Sequence, residues 1–324
     1  ERYWGTPLPI WRCESCQAYD CFGSVAELKA RALPESKVLV NDKLDLHRPY
    51  VDHVLVRCKE QGCGGAMRRV LDVLDCWFDS GAMPFAQAHV MSDADLAHLR
   101  QQGFFPADYI CEALDQTRGW FYTLHALATL VAGEPSYRNV ICLGLVLDEK
   151  GEKMSKTKGN VVRPWDVINQ VGADAVRWYM FTASPAGEPR RFSSALVEEV
   201  VRRFMLTLWN TYSFFVTYAN LDNWRPSQAE GVVPQAELDR WILSELNLLV
   251  SDVDTHLSGY NPTDAGRRIE EFVELLSNWY VRRSRRRFWK SENDQDKLQA
   301  YATLYRCLAT TSQLIAPLMP FVAE

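Results

Sequence analysis

The sequence predicts an α/β half that carries a small cysteine-rich module and is followed by an all-α helical bundle. Three observations point there: a strand–helix–strand rhythm over 106–147, two cysteine pairs in the first 70 residues, and helical periodicity beyond Pro189. At 324 residues the chain is about twice the usual single-domain length of ~150, so two or three domains are expected. Hydrophobic residues make up 47% and charged residues 24%, and 11 Trp, 13 Tyr and 14 Phe imply extensive packing, which excludes intrinsic disorder. No stretch approaches the ~18 uncharged apolar residues of a membrane helix. The formal net charge of -5 excludes a bulk polybasic nucleic-acid binder. Both ends, Glu1 to Pro7 and Pro317 to Val322, read as mid-domain sequence, and the chain is expected to be an internal piece of something longer.

Residues 1–70 are short runs broken by Pro and Gly, which predicts small strands and turns. Val70 to Asp75 reads as a strand entering a turn at Trp77-Phe78-Asp79-Ser80-Gly81. A short polar helix is expected over 93–103, with Asp at its start and Gly103 at its end. Pro106 to Glu112 reads as a strand, Arg118 to Ala132 as a mostly buried helix, and Val140 to Leu147 as a second strand ending in the Asp148-Glu149-Lys150-Gly151 turn. Strand, helix and strand at that spacing form a βαβ unit of a parallel sheet. Beyond Pro189, apolar residues recur at helical spacing at Val197, Val200, Val201, Phe204 and Leu208, and again from Leu238 to Leu257. Ile269 to Tyr280 makes a third helix and 294–315 a fourth, which together read as a bundle.

Cys13-Glu-Ser-Cys16 and Cys58-Lys-Glu-Gln-Gly-Cys63 are two thiol pairs separated by a long loop, the donor set of a tetrahedral structural zinc. Gly62, Gly64 and Gly65 would let the chain turn tightly around the ion. Cys21, His47 and His53 are the substitute ligands, and reduced, partly buried thiols are the plain alternative. Nothing marks the chain as secreted, so disulfides are not expected. Cys76, Cys111, Cys142 and Cys307 read as core.

The sharpest local signal is Lys153-Met154-Ser155-Lys156-Thr157-Lys158-Gly159-Asn160. Three lysines in six residues, with a small hydroxyl between them, form a cationic loop able to neutralise charge as pyrophosphate leaves. A lysine run alone is usually a solvated turn, but this one follows a buried strand and precedes Gly172-Ala173-Asp174-Ala175.

That loop resembles the K-M-S-K-S signature of the class I aminoacyl-tRNA synthetases, with Thr157 in place of the final Ser. Tyr3 to Pro7, Asp75 to Gly81, Asp115-Gln116-Thr117-Arg118-Gly119-Trp120-Phe121, and Asn278 to Arg283 with Arg285 to Trp289 are similar to blocks of the isoleucyl branch. The resemblance covers essentially the whole chain. It implies a Rossmann-like catalytic half with a small zinc-bearing insertion, and three domains: 1–75 ending an insertion with the zinc knuckle, 76–190 the second half of the catalytic fold, and 191–324 an incomplete helical anticodon-binding domain. It further implies a cytoplasmic, monomeric ligase that joins isoleucine to tRNA(Ile) through an adenylate, using ATP, Mg2+ and Zn2+.

Residue by residue, the resemblance implies that Lys153 and Lys156 are catalytic. Glu112, Asp115, Gln116, Gly144, Met154 and Ser155 join them around ATP and the adenylate. Trp77 and Trp120 would wall the isoleucine side-chain pocket, since flat aromatic faces hold a branched aliphatic group by dispersion. Read alone, the tryptophans are core packing and the acidic residues a helix N-terminal cluster. Ala113 stands in place of a usual Gly, and Leu143 in place of a His. The family's H-I-G-H signature and its editing segment do not occur in the chain, and no His-x-x-His is present. By itself the chain is therefore expected not to activate isoleucine.

Arg282, Arg283, Arg285, Arg286, Arg287 and Lys290 stand out in an acidic chain, with 282 and 286 on one helical face and 283 and 287 on another. With Trp279, Tyr280 and Trp289 as stacking surfaces, this ridge suits a folded RNA; a solvated face is the plain alternative. Two other functions compete: a small-molecule nucleotidyltransferase of similar fold, which needs no arginine ridge, and a non-catalytic zinc-bearing RNA-binding module, which needs no lysine loop.

Overall fold

The computed structural model describes residues 3–36, 44–290 and 294–324. They form two compact units, one of residues 1–110 and 115–140, the other of 111–114 and 141–324.

In the first unit, β1 (Ile10–Cys13), β2 (Tyr19–Cys21), β3 (Val56–Arg57) and β4 (Ala66–Arg69) make an antiparallel sheet of order β2-β1-β4-β3. Helix α1 (Val25–Arg31) is capped by Ser24, whose side chain accepts from the Glu27 N–H. Trp11, Phe22, Leu28, Val54, Val56 and Met67 are buried here with Cys13 and Cys58. The core is small, and Trp11 meets Phe22 edge-on at 4.9 Å.

Val70 to Leu74 is extended chain alongside residues 6–10, with Val70 N–H donating to Ile10 O at 2.9 Å, Leu74 N–H to Thr6 O at 2.8 Å and Val73 bridging Pro7 antiparallel, whereas the turn expected at 77–81 is a helix, α2 (Cys76–Ala86). The Asp75 side chain accepts from the Trp77 N–H at 2.8 Å, so the aspartate that looked like a strand end is an N-cap. Helix α3 (Asp93–Gln101) follows, capped by Ser92 and ended by Gly103 at φ 75°. Strand β5 (Ala107–Ala113) leads through a 3-10 turn, Leu114–Arg118, into α4 (Trp120–Ala132), and then β6 (Tyr137–Leu143).

Strands β5 and β6 are hydrogen-bonded neighbours, and Ala107 N–H donates to Ser136 O at their N-terminal ends, as parallel strands require. Helix α4 is less buried than its composition suggests: Phe121, Leu124 and Ala128 face inward, while Tyr122 and Leu130 are exposed. It reaches α2 closely because Gly81 is buried against it, where an added Cβ would come within 2.9 Å of Thr123 and Leu127.

In the second unit the strand expected over 140–147 breaks at Gly144, whose N–H donates to Ala186 O at 2.8 Å. The chain resumes as β7 (Val146–Leu147), parallel to β8 (Arg190–Arg191). Helices α5 (Pro164–Val171) and α6 (Ala173–Thr182) lie between them in sequence. Val167, Ala175, Tyr179, Phe192 and Val197 form a local core.

Helix α7 (Ser194–Val200) widens into π-type turns over Val201–Met205 and continues as α8 (Leu206–Leu221). Then come α9 (Glu237–Ser258) and α10 (Pro262–Glu274), π-type turns over Leu275–Val281, α11 (Arg282–Trp289), α12 (Gln295–Ile315) and α13 (Pro320–Ala323). Ile242, Leu249, Ile269, Phe272, Leu276, Tyr280, Phe288, Tyr301 and Leu304 fill the bundle core. Among the described residues no helix is long and apolar enough to cross a membrane.

Of the four cysteines expected in the core, Cys307 is fully buried, Cys111 and Cys142 are half-buried, and Cys76 is exposed on the first turn of α2.

Candidate functional sites

Cys13 ends β1, Cys16 follows on its turn, and Cys58 and Cys63 flank the loop that joins β3 to β4. The Sγ atoms of Cys13 and Cys63 lie 3.6 Å apart, those of Cys16 and Cys58 3.7 Å, and all four fall within 4.8 Å of one another. A tetrahedral zinc at ~2.3 Å from each sulfur requires S···S edges of about 3.8 Å, so the donor set fits the ion. Cys63 completes the group; Cys21, His47 and His53 do not belong to it. The Cys16 N–H points at Cys13 Sγ from 3.5 Å, and that donor pulls the Cys13 thiol down to about 6, while desolvation and the neighbouring sulfurs push the Cys16 and Cys58 thiols up. Gly65 is required by space, because a Cβ there would stand 3.0 Å from Cys13 Sγ and 2.6 Å from Ser15 Oγ.

Trp77 on the first turn of α2 and Trp120 at the start of α4 are brought to one place by the close α2–α4 packing. The Trp120 indole Nε1 donates to Ser80 O at 3.1 Å, and its backbone N–H donates to Gln116 Oε1 at 2.9 Å. Gly119 lies against the Trp77 ring, where a Cβ would meet the indole at 3.3 Å. Trp77 remains 41% exposed, so its ring is a free apolar wall rather than core. Gln116 Nε2 donates to Asp115 Oδ2 at 3.2 Å, which leaves the exposed Asp115 carboxylate oriented by its neighbour.

In the other unit, Glu112 is exposed near the end of β5. Gly144 has a packing reason for being glycine: a Cβ would stand 2.2 Å from the Glu188 carbonyl. The lysine loop is tied internally. Asn160 Oδ1 accepts the Ser155 N–H at 2.9 Å, Asn160 Nδ2 donates to Asp148 Oδ2 at 2.7 Å, and the Ser155 and Thr157 hydroxyls are 2.7 Å apart. Lys158 pairs with Glu152 at 3.2 Å. Lys153 and Lys156 are exposed, and no carboxylate pairs with either among the described residues. Met154 between them packs on the local core.

On α11, Arg282, Arg283, Arg285 and Arg286 are exposed. Arg283 lies over the half-exposed Trp279 ring at 4.0 Å from its centroid. Two expected RNA-facing residues turn inward instead. Arg287 is held by the fully buried Asp239 through Nη1–Oδ1 at 2.6 Å and Nη2–Oδ2 at 2.8 Å, and Tyr280 is fully buried with its hydroxyl donating to the same carboxylate at 2.8 Å. The π-type turns ahead of α11 reset the phase of the helix, which the arginine spacing alone does not reveal. Asp148, Asn160 and Asp239 escaped the sequence reading, since single polar residues carry no periodic signal.

A family model described as class I tRNA synthetases (I, L, M and V) matches residues 1–193, and one described as the anticodon-binding domain of tRNA ligase matches 239–324. The chain is 62% identical to an isoleucine–tRNA ligase of Dehalococcoides mccartyi and 52% identical to that of Thermus thermophilus, over its whole length in each case. It spans about a third of those relatives, 32% and 30%. A leucyl-tRNA synthetase solved with tRNA and an adenylate analogue, from Agrobacterium radiobacter, matches the whole chain and 38% of its own at TM-score 0.66 and 18% identity. A methionyl-tRNA synthetase of Mycobacterium tuberculosis, solved with methionyl-adenylate, matches 83% of the chain and 50% of its own at TM-score 0.62 and 22% identity. These solved structures share the Rossmann-like catalytic fold and its helical companion.

Proposed function

The chain belongs to the class I tRNA synthetases of the isoleucine, leucine, methionine and valine group, and on that premise we propose that it is the lysine-loop and anticodon-side part of a cytoplasmic enzyme that attaches isoleucine to its tRNA. The observation that carries the reading is the pair of exposed lysines: Lys158 is neutralised by Glu152, while Lys153 and Lys156 have no acidic partner among the described residues. Free ammonium groups on a tethered loop are what a departing pyrophosphate needs. Identity to isoleucine–tRNA ligases along the whole chain supports the amino acid.

In this reading the isoleucine carboxylate attacks the α-phosphorus of Mg-ATP, the bond from that phosphorus to the α,β-bridging oxygen breaks, and pyrophosphate leaves with its charge met by Lys153 and Lys156. A terminal ribose hydroxyl of tRNA(Ile) then takes the acyl group and AMP departs. No covalent bond to the protein forms; positioning and charge do the work. Trp77 and Trp120 wall the side-chain pocket, and Asp115, Gln116 and Glu112 hold polar groups of the adenylate. Arg282, Arg283 and Arg286, with the Trp279 face, meet tRNA phosphates and bases. Cys13, Cys16, Cys58 and Cys63 would hold Zn2+, which as a structural ion would staple the small module rather than act on substrate.

Isoleucine-dependent pyrophosphate exchange by the full-length enzyme tests the proposal, with isoleucine, valine, leucine and methionine offered separately. Strong exchange with isoleucine, weak with valine and none with the others is expected. No exchange with isoleucine overturns it.

A further inference from the structure

Asn160 is the point where the lysine loop closes on itself. Its side-chain oxygen accepts the N–H of Ser155, between the two free lysines. Its side-chain nitrogen donates to Asp148 Oδ2 at 2.7 Å and to the Lys153 carbonyl at 3.3 Å. Asp148 sits just beyond β7, and its other oxygen accepts the N–H groups of Lys150 at 3.0 Å and Glu152 at 2.7 Å. Hydrogen bonds from Asn160 and these amides hold the Asp148 carboxyl below its ordinary range, so it is ionised at neutral pH. The backbone on either side of Met154 is thereby indexed to the β7–β8 pair through two side chains. Gly159 at φ 69° supplies the left-handed turn that brings Asn160 back over the loop.

We propose that Asn160 and Asp148 are a positioning pair that sets where Lys153 and Lys156 stand when pyrophosphate departs. Neither side chain needs to touch the nucleotide. They fix the backbone from which the two ammonium groups reach, and misplacement by about 1 Å at such a centre costs on the order of 100-fold in rate. The inference rests on the lysine-loop reading above.

The full-length enzyme carrying single and paired substitutions tests it by isoleucine-dependent pyrophosphate exchange. Asn160→Ala is expected to lower kcat at least tenfold while the KM for isoleucine moves less than threefold. Asp148→Asn puts amide against amide and is expected to lower kcat likewise. The swap Asp148→Asn with Asn160→Asp restores a donor facing a carboxylate, keeps an acceptor for the Ser155 N–H, and keeps one for the Lys150 and Glu152 amides; it gives up the 3.3 Å bond to Lys153 O and sets a carboxylate oxygen against that carbonyl, so recovery is expected to be partial. It is expected to recover at least half of the kcat lost on a logarithmic scale. An unimpaired Asn160→Ala overturns the proposal, and so does a swap no better than Asp148→Asn alone, or a loss expressed equally in the isoleucine KM. Lys156→Ala separates the two layers: if that variant exchanges normally, the lysine-loop reading fails, whereas an inactive Lys156→Ala beside an active Asn160→Ala sinks the positioning pair only.

Discussion

Arg287 on α11 and Asp239 on α9 form a two-bond ion pair inside the helical bundle, 2.6 and 2.8 Å, with the Tyr280 hydroxyl as a third bond to the carboxylate. Asp239 is fully buried, so its charge has been taken out of water and is compensated by the guanidinium and one phenol. Removing Arg287 strands the buried carboxylate, whereas without Asp239 the guanidinium still pairs with Asp296 at 2.9 Å. Arg287→Met is expected to destabilise the chain by about 3–5 kcal/mol, Asp239→Ala by less, and the double substitution by clearly less than their sum. Chemical denaturation of the four variants measures this, and additive losses would contradict the pairing.

Arg282 and Arg286 are exposed, so reversing their charge leaves the core alone. Arg282→Glu with Arg286→Glu is expected to weaken tRNA binding at least tenfold and to flatten its salt dependence by roughly one unit of slope for each phosphate left unneutralised. Filter binding across a salt series reads both quantities. Unchanged affinity with an unchanged melting curve would remove this face from the tRNA path.

The thiolate cluster leads to a metal count. One zinc per chain is expected by elemental analysis, with Cys63→Ser losing it and Cys21→Ser keeping it. Chelation should lower the melting temperature of the small antiparallel module, whose apolar core is too limited to stand well alone. Full metal content in Cys63→Ser would move the fourth ligand elsewhere.

Gly144→Ala would force a methyl group to 2.2 Å from the Glu188 backbone, an atom that cannot swing away. The expected cost is about 1–3 kcal/mol of stability through overpacking. Thermal unfolding checks the direction. If the variant melts like the parent but binds ATP more weakly, the glycine serves the nucleotide rather than the packing.

What could be read from the residues alone depended on whether a signal repeats. Helical periodicity along Leu238–Leu257 located a bundle helix, and the thiol spacing picked the four cysteines that the fold brings together. Trp77 to Gly81 misled, because Asp, Ser and Gly in a row resemble a turn, while the capping Asp75 starts a helix there. Arg287 could not be sorted from its neighbours, since five arginines in six positions hide which face turns inward. Gly81, Gly119 and Gly144 are glycines because of what approaches them from elsewhere in the chain, and no local pattern records that.

Met154 sits between two solvated lysines with its thioether packed among Val167, Val197 and their neighbours. The loop is riveted at its middle as well as at its two ends. Lifting it as one flap would pull that side chain into water at a cost of up to about 2 kcal/mol, which keeps such an excursion to a few per cent of molecules. Two short arms pivoting on a fixed centre are the cheaper motion, so each ammonium group can adjust to a phosphate without disturbing the other.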